Sequence, residues 1–204
     1  FSKIHSPIDD LRFEANTKIY SQGELADYLY TLREGYIKLL HLNPDGSSRI
    51  VRLVMPGDLF GMEALLGEQY AHSATSLSNV YLCRIPKAII ASLGEESPRL
   101  HRQIVKKWGG ALSQSESWFS EINTGRIEVR LSRFFLRIAK ASGDMAVAPL
   151  FKREDMGLMM DVKFETISRA LASMAEQGLI SNISRLSIQI PDMEKLKLFS
   201  QSGG

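Results

Sequence analysis

The chain changes its rhythm once, and that change limits the folds open to it. Between about residues 11 and 92, short β-prone runs (KIYSQGE, YLYTLREGYIKLLHL, SRIVRLVMPGD, YLCRI) alternate with turn signals. From Ser97 onward the apolar residues recur at helical spacing instead. Within the first stretch Asn43-Pro44-Asp45-Gly46 predicts a hairpin turn, proline presetting φ and glycine supplying a positive one. Many short strands at such intervals predict a β-sandwich or a rolled barrel.

The second stretch predicts a long helix from Ser97 to Ile122. Leu100, Ile104, Trp108, Ala111, Ser115, Trp118 and Ile122 step by threes and fours, a seam of the kind coiled coils use. Such a seam either packs on the β-domain or meets a two-fold partner helix. Two tryptophans and Phe119 exceed what a small β-domain could cover, which favours the dimer. Gly109-Gly110 interrupts the helix at about 1 kcal/mol per glycine relative to alanine and permits a bend or a close backbone approach.

Composition narrows the class. With 204 residues, 44% hydrophobic and 24% charged, the chain is long enough for one large domain or two small ones around a proper core. No apolar run approaches the ~18 residues that cross a bilayer, and FSKIHSPIDD has no signal-peptide pattern, so the expected location is the cytoplasm with no membrane partner. The lone Cys83 forbids an internal disulfide framework and reads as a small buried strand residue. His5, His41, His72 and His101 have no close metal-ligand spacing, so no metal site is expected. No nucleophile–base–acid set, P-loop or dinucleotide fingerprint is present, and the chain is not expected to be an enzyme.

The net charge of +2 hides an asymmetry. Residues 1 to 123 carry 13 Lys and Arg against 14 Asp and Glu, whereas residues 124 to 204 carry 12 against 9. In that last part Arg126, Arg130, Arg133, Arg137 and Lys140 form a basic stripe beside an apolar one of Ile127, Leu131, Phe134 and Ile138. A solvated helix face is the simpler reading of the stripe, and phosphate contact by its first arginines is the sharper one.

Further along, Arg153 to Met160 predicts a short helix with Met156, Met159 and Met160 inward, followed by a tight turn at Asp161-Val162. A second helix then runs to a C-cap at Gly178, with Ile167, Ala170, Leu171 and Met174 on one face and Glu165, Ser168 and Arg169 on the other. Leu186, Ile188 and Ile190 alternate like a wing strand. Two short helices, a tight turn and a β-wing make a winged helix-turn-helix, whose second helix enters the major groove by its N-terminal end. There Glu165 suits cytosine N4, Arg169 suits guanine O6 and N7, and Ser168 suits a neighbouring base. Lys152, Arg153, Lys163 and Arg126 suit phosphates. The competing reading is an exposed polar face with one local Glu165–Arg169 pair.

These residues, with "PGDLFGMEALL" at 56 to 66, the long helix and "ETISR", make the whole chain similar to the cAMP-receptor/FNR superfamily of bacterial transcription regulators. The resemblance implies an α+β chain. It has an N-terminal double-stranded β-helix (β-roll) over residues 1–96, a dimerisation helix over 97–123 and a winged helix-turn-helix over 124–204. It implies a homodimeric activator that binds double-stranded DNA at a palindromic site and has RNA polymerase as a partner. Glu165, Ser168 and Arg169 match the FNR side, whose half-site resembles TTGAT, while Phe164 stands where the cAMP-receptor side has another arginine. The alternative is a ligand-binding module whose C-terminal helices make protein contacts only.

Departures from the family pattern bear on the signal. Nucleotide-binding members use a Gly-Glu pair on the ribose and an Arg-Ser pair on the cyclic phosphate; here Gly61 precedes Met62, and His72 precedes Ser73. Methionine cannot accept a hydroxyl hydrogen bond, and a neutral imidazole cannot replace a bidentate guanidinium. Glu63, one place along, is expected to point to the other side. The effector at Gly61, Met62, Glu63, His72 and Ser73 is therefore expected to be a small molecule or gas other than cAMP. An iron–sulfur cluster needs cysteines before Phe1, where the chain reads as trimmed, and haem on a histidine is another cofactor the superfamily uses. At the turn, Asp161 takes the usual glycine place and Lys163 the usual Ser or Thr N-cap, which predicts a helix start weaker by up to ~1 kcal/mol.

Overall fold

The computed structural model describes residues 9–89, 102, 105–107, 109–110, 112–113 and 122–202. The chain divides into two compact units at residues 115 and 116. The expected domain limit at residue 96 lies outside the described residues.

The first unit carries eight strands: β1 (Asp9–Phe13), β2 (Lys18–Tyr20), β3 (Tyr28–Glu34), β4 (Ile37–Leu42), β5 (Ser48–Val54), β6 (Leu59–Phe60), β7 (Ser73–Ser76) and β8 (Val80–Pro86). They form two antiparallel four-stranded sheets, ordered β1-β8-β3-β6 and β2-β7-β4-β5. One core joins them: Tyr30, Leu32, Phe60, Val80 and Leu82 from the first sheet meet Tyr20, Ile37, Leu39, Val54 and Ala74 from the second. Each large apolar side chain buried this way contributes about 1.5–3 kcal/mol. Aromatic rings stack through its centre, with centroids 3.8 Å apart for Tyr20–Tyr70 and 5.0 Å for Tyr30–Phe60. This is the β-roll expected from the sequence.

Local chemistry closes the hairpins. At the predicted turn, Asn43 N–H donates to Ser47 O at 2.8 Å, Gly46 N–H donates to Asn43 O at 3.0 Å, and Gly46 takes φ 84°. Strand β7, Ser-Ala-Thr-Ser, gives almost no hydrophobic signal, yet it sits between β2 and β4. Its buried Ser76 is satisfied: the hydroxyl accepts from Thr17 N–H at 2.8 Å and donates to Glu14 O at 2.7 Å. Cys83 is buried in β8, as expected.

Of the predicted long helix, Arg102, Val105 to Lys107, Gly109, Gly110, Leu112 and Ser113 are helical in the first unit and Ile122 in the second. Among the seam residues, Leu100, Ile104, Trp108, Ala111, Ser115 and Trp118 lie outside the described residues. Ile122 is 1% exposed in the single chain, so it offers a second chain no surface. No described helix is long and apolar enough to cross a membrane.

The second unit runs α1 (Ile127–Ile138), β9 (Lys140–Ser142), β10 (Met145–Pro149), α2 (Arg153–Met160), α3 (Phe164–Glu176), β11 (Ser187–Ile190) and α4 (Met193–Gln201). The strands form one sheet, ordered β11-β10-β9, and α1 packs on α3 and α4. Leu131, Phe134 and Ile138 of the apolar stripe are buried, and Val129 and Phe135 join them. The basic stripe departs from expectation. Arg126 is the N-cap of α1 and Lys140 lies in β9, so only Arg130, Arg133 and Arg137 share the helix. Two of these serve the fold: Arg130 donates to the carbonyls of Ile122 and Met160, and Arg133 to those of Thr124 (2.9 Å) and Ser200 (3.1 Å). Carbonyl-rich chain ends carry partial negative charge that a guanidinium fork satisfies better than water does.

Candidate nucleic-acid interface and β-roll cavity

The turn between α2 and α3 sets the aim of everything beyond it. Met156, Met159 and Met160 are buried, which anchors α2 from below. Asp161 closes α2 in the left-handed region at φ 52°, ψ 47°, a conformation aspartate tolerates better than most residues. Gly157 makes the turn possible: a Cβ there would lie 2.6 Å from Val162 O. Val162 N–H donates to Gly157 O at 3.1 Å. Lys163, the N-cap of α3, gives no side-chain cap; its carbonyl accepts from Thr166 N–H at 3.0 Å.

Helix α3 buries Ile167, Ala170, Leu171 and Met174 and presents Glu165, Ser168 and Arg169 exposed. The Ser168 hydroxyl donates to Phe164 O at 3.2 Å, which leaves its oxygen as an acceptor. Of the residues assigned to phosphates, Lys152, Lys163 and Arg126 are exposed and Arg153 is half-buried. Burial lowers the Arg153 guanidinium from its ordinary pKa, against the opposing pull of Glu154. Gly178, φ 65°, follows the C-cap Gln177 and ends the helix as predicted.

The wing differs from its sequence reading. Ile188 and Ile190 are buried in β11, but Leu186 lies before the strand and is 81% exposed. Leu186 therefore belongs to the wing tip and not to an inward alternation. The Ser184 hydroxyl ties that tip, accepting from Ser187 N–H at 2.9 Å and donating to Ser187 O at 3.0 Å. Arg185 is exposed there, a cation the sequence reading passed over because a polar loop gives no periodic signal.

The first unit holds a cavity of about 450 Å³ lined by Leu39, Val51, Phe60, Leu66 and Leu112, with Gly61, Arg52, Met62, Glu63 and His72. Met62 and Glu63 both face it, correcting the expectation that Glu63 would turn away. The segment Met62–Leu65 is a 3-10 turn and not a strand, so successive side chains lie about 120° apart and do not alternate between opposite faces. Ser73 is not on the wall; its hydroxyl accepts from Gln22 N–H at 2.9 Å. Gly61 sits at φ 70°, and a Cβ would come within 3.0 Å of Tyr28 O and 3.1 Å of both the Tyr30 and Tyr70 rings.

The cavity's charges are already engaged. Arg52, unrecognised in sequence because it lies among the apolar residues of β5, meets Asp58 at 3.6 Å and donates to Leu59 O at 3.1 Å. Burial lowers its pKa, and Asp58 acts in the opposite sense. Glu63 accepts from Ala71 N–H at 3.1 Å and stands 3.9 Å from His72 Nδ1. Burial holds the His72 imidazole below its ordinary pKa; Glu63 opposes this, and His41, its ring centroid 5.6 Å away, reinforces it. Among the described residues no group of three or more His, Cys, Asp or Glu could hold a metal ion.

Comparison with known proteins places both units. Residues 10–97 match the cyclic nucleotide-binding domain, and residues 129–199 match the Crp-like helix-turn-helix domain. The chain is 31% identical over 166 residues to the transcriptional regulator LdrP of Thermus thermophilus, covering 81% of this chain and 78% of LdrP. It is 26% identical over 191 residues to the nitrogen fixation regulation protein FixK of Azorhizobium caulinodans, covering 91% of this chain and 76% of FixK. The structure of FixK2 from Bradyrhizobium japonicum superposes with a TM-score of 0.83 at 21% identity, covering 95% of this chain and 98% of that one. A β-roll followed by a helix-turn-helix, with a curated relative above 30% identity over most of both chains, identifies this protein as a transcription regulator of the CRP/FNR family with a DNA-binding helix-turn-helix.

Proposed function

We propose that the chain acts as a homodimer on a palindromic, TTGAT-like duplex site. Glu165 and Arg169 read base edges, Ser168 accepts from a neighbouring base, and Lys152, Arg153, Lys163 and Arg126 hold phosphates. The observation that carries this reading is the exposure of Glu165, Ser168 and Arg169 together at the start of α3, on a backbone set by the Gly157 contact and the Asp161 turn. Each base pairing of this kind contributes about 1–3 kcal/mol of discrimination. The dimer forms through the helix preceding Ile122, and RNA polymerase is the partner of the bound activator.

The β-roll cavity receives the controlling signal, and that signal is not cAMP. Met62 offers the ribose only the weak acceptor of its thioether sulfur, not a carboxylate. Arg52 already faces Asp58, and His72 is held toward its neutral form, so among the described residues a cyclic phosphate meets no uncommitted cation on the wall. The six apolar wall residues Leu39, Val51, Phe60, Met62, Leu66 and Leu112 suit a small apolar effector.

A gel-shift titration at several salt concentrations on a TTGAT palindrome tests the DNA reading. Glu165→Ala and Arg169→Ala should each lose affinity in a way that depends on the base at one position, by about 1–3 kcal/mol. Variants that weaken binding equally on every sequence would refute base reading by these residues.

A further inference from the structure

One charge on the cavity wall lacks a counter-ion among the described residues. The ionisable groups of that wall are Arg52, Glu63 and His72. Arg52 has Asp58 at 3.6 Å and also donates to Leu59 O. Glu63 has no Lys or Arg of the described residues within ion-pair distance, and Arg52 acts on it only from farther off. Its side chain is 23% exposed, and Ala71 N–H steers its Oε1 from 3.1 Å. His72 Nδ1 stands 3.9 Å from that oxygen, too far for a hydrogen bond, and burial holds the imidazole toward its neutral form. With Arg52 and Asp58 offsetting each other, the described wall is left with one negative charge on a mostly apolar surface.

We infer that the cavity takes a small apolar molecule bearing a primary amine, its ammonium group seated between the Glu63 carboxylate and the His72 imidazole. The inference rests on the effector-cavity reading proposed above and narrows it. An ammonium has three donors and no acceptor. It meets the carboxylate oxygen Oε2, which accepts no hydrogen bond from the described residues. A neutral imidazole adds the lone pair of its unprotonated nitrogen, whereas an imidazolium would repel the ligand. Leu39, Val51, Phe60 and Leu66 then cover the rest of the molecule, in a volume of about 450 Å³ that falls within the range of small-molecule sites. An anion is disfavoured on the same wall, because its charge would enter beside a carboxylate where water screens little.

The test uses the full chain in isothermal titration calorimetry near neutral pH. The probes share butyl, hexyl and 2-phenylethyl bodies, each carrying in turn an ammonium, a hydroxyl or a carboxylate. On at least one body the amine should bind about ten-fold more tightly than the alcohol, the worth of a hydrogen bond to a charged group, and the carboxylate should bind more weakly than either. Glu63→Gln should bring the amine down to the affinity of the alcohol and leave the alcohol where it was. The amide oxygen of that variant still accepts from Ala71 N–H, so its thermal melting should match the wild type. An alcohol or carboxylate that binds as tightly as the matched amine on every body, or a Glu63→Gln chain that keeps the amine preference, overturns the amine assignment and leaves the cavity as the receiving site. Binding of no probe at all overturns the effector-cavity reading with it.

Discussion

Arg130 and Met160 lie thirty positions apart in sequence, and the guanidinium of the first donates to the carbonyl of the second while also donating to Ile122. One side chain thus ties the approach to α1 to the last residue of α2. The last carbonyls of a helix have no partner within it, and a charged donor there counts for more than a neutral one.

Arg130→Ala should therefore destabilise the chain by about 1.5–3 kcal/mol, the range of hydrogen bonds to charged groups. Arg130→Lys should recover less than half of this, since an ammonium on a single stem does not present two donors in a fork. Arg126→Ala, at an exposed N-cap without a side-chain bond, should shift stability by less than about 0.5 kcal/mol. Denaturant midpoints of the three variants decide this, and an Arg130→Ala midpoint equal to that of Arg126→Ala would remove the fastening role.

Gly157→Ala should damage DNA binding more than folding. The new methyl meets Val162 O at 2.6 Å, and a backbone oxygen yields only if the whole turn moves. The expected cost is about 1–3 kcal/mol in stability. The N-terminal end of α3 moves with the turn, so gel-shift affinity should fall by a larger factor than the midpoint change explains. Wild-type melting together with wild-type affinity would contradict the fit described for Gly157.

The acid side of the stability profile should carry a contribution from His72. Burial, helped by His41 and opposed by Glu63, lowers its pKa in the folded chain. As pH falls below the ordinary histidine value of about 6.5, the unfolded chain takes up a proton that the folded chain resists. The stabilisation is thus complete above that value and is lost as pH falls toward the lowered folded value. His72→Gln should flatten this slope between pH 7 and 5 in urea titrations. An unchanged slope in the variant would show that other groups set the acid limb.

Asp192→Ala should cost about 1 kcal/mol. Asp192 caps α4 by accepting from Lys195 N–H at 2.9 Å, and α4 packs on α1. Asp192→Asn should retain most of the stability, because the amide oxygen accepts the same bond. Equal losses in both variants, measured by thermal melting, would point to charge and not to capping.

Legibility from sequence followed the range of the interactions. The Asn43–Gly46 turn, the inward Met156, Met159 and Met160, and the exposed Glu165, Ser168 and Arg169 each follow from spacing within a few residues, and each is in place. The role of Arg130 did not, because its acceptors come from two separate segments. Strand β7 escaped because its buried Ser76 is satisfied by hydrogen bonds and carries no apolar signature. In the cavity, Met62 and Glu63 both reach the wall because a 3-10 turn replaces the 180° alternation of a strand, and Arg52 arrives from β5. Leu186 followed the strand rhythm in sequence but fell one residue outside the ladder.

Gly61 separates two kinds of evolutionary change. Its missing side chain is demanded by Tyr28, Tyr30 and Tyr70, so that position on the cavity wall answers to the scaffold first. Met62, Glu63 and His72 face the cavity without belonging to the buried core. Under the effector-cavity proposal, a new chemical input calls for substitutions at those three places, while Gly61 stays fixed by its neighbours.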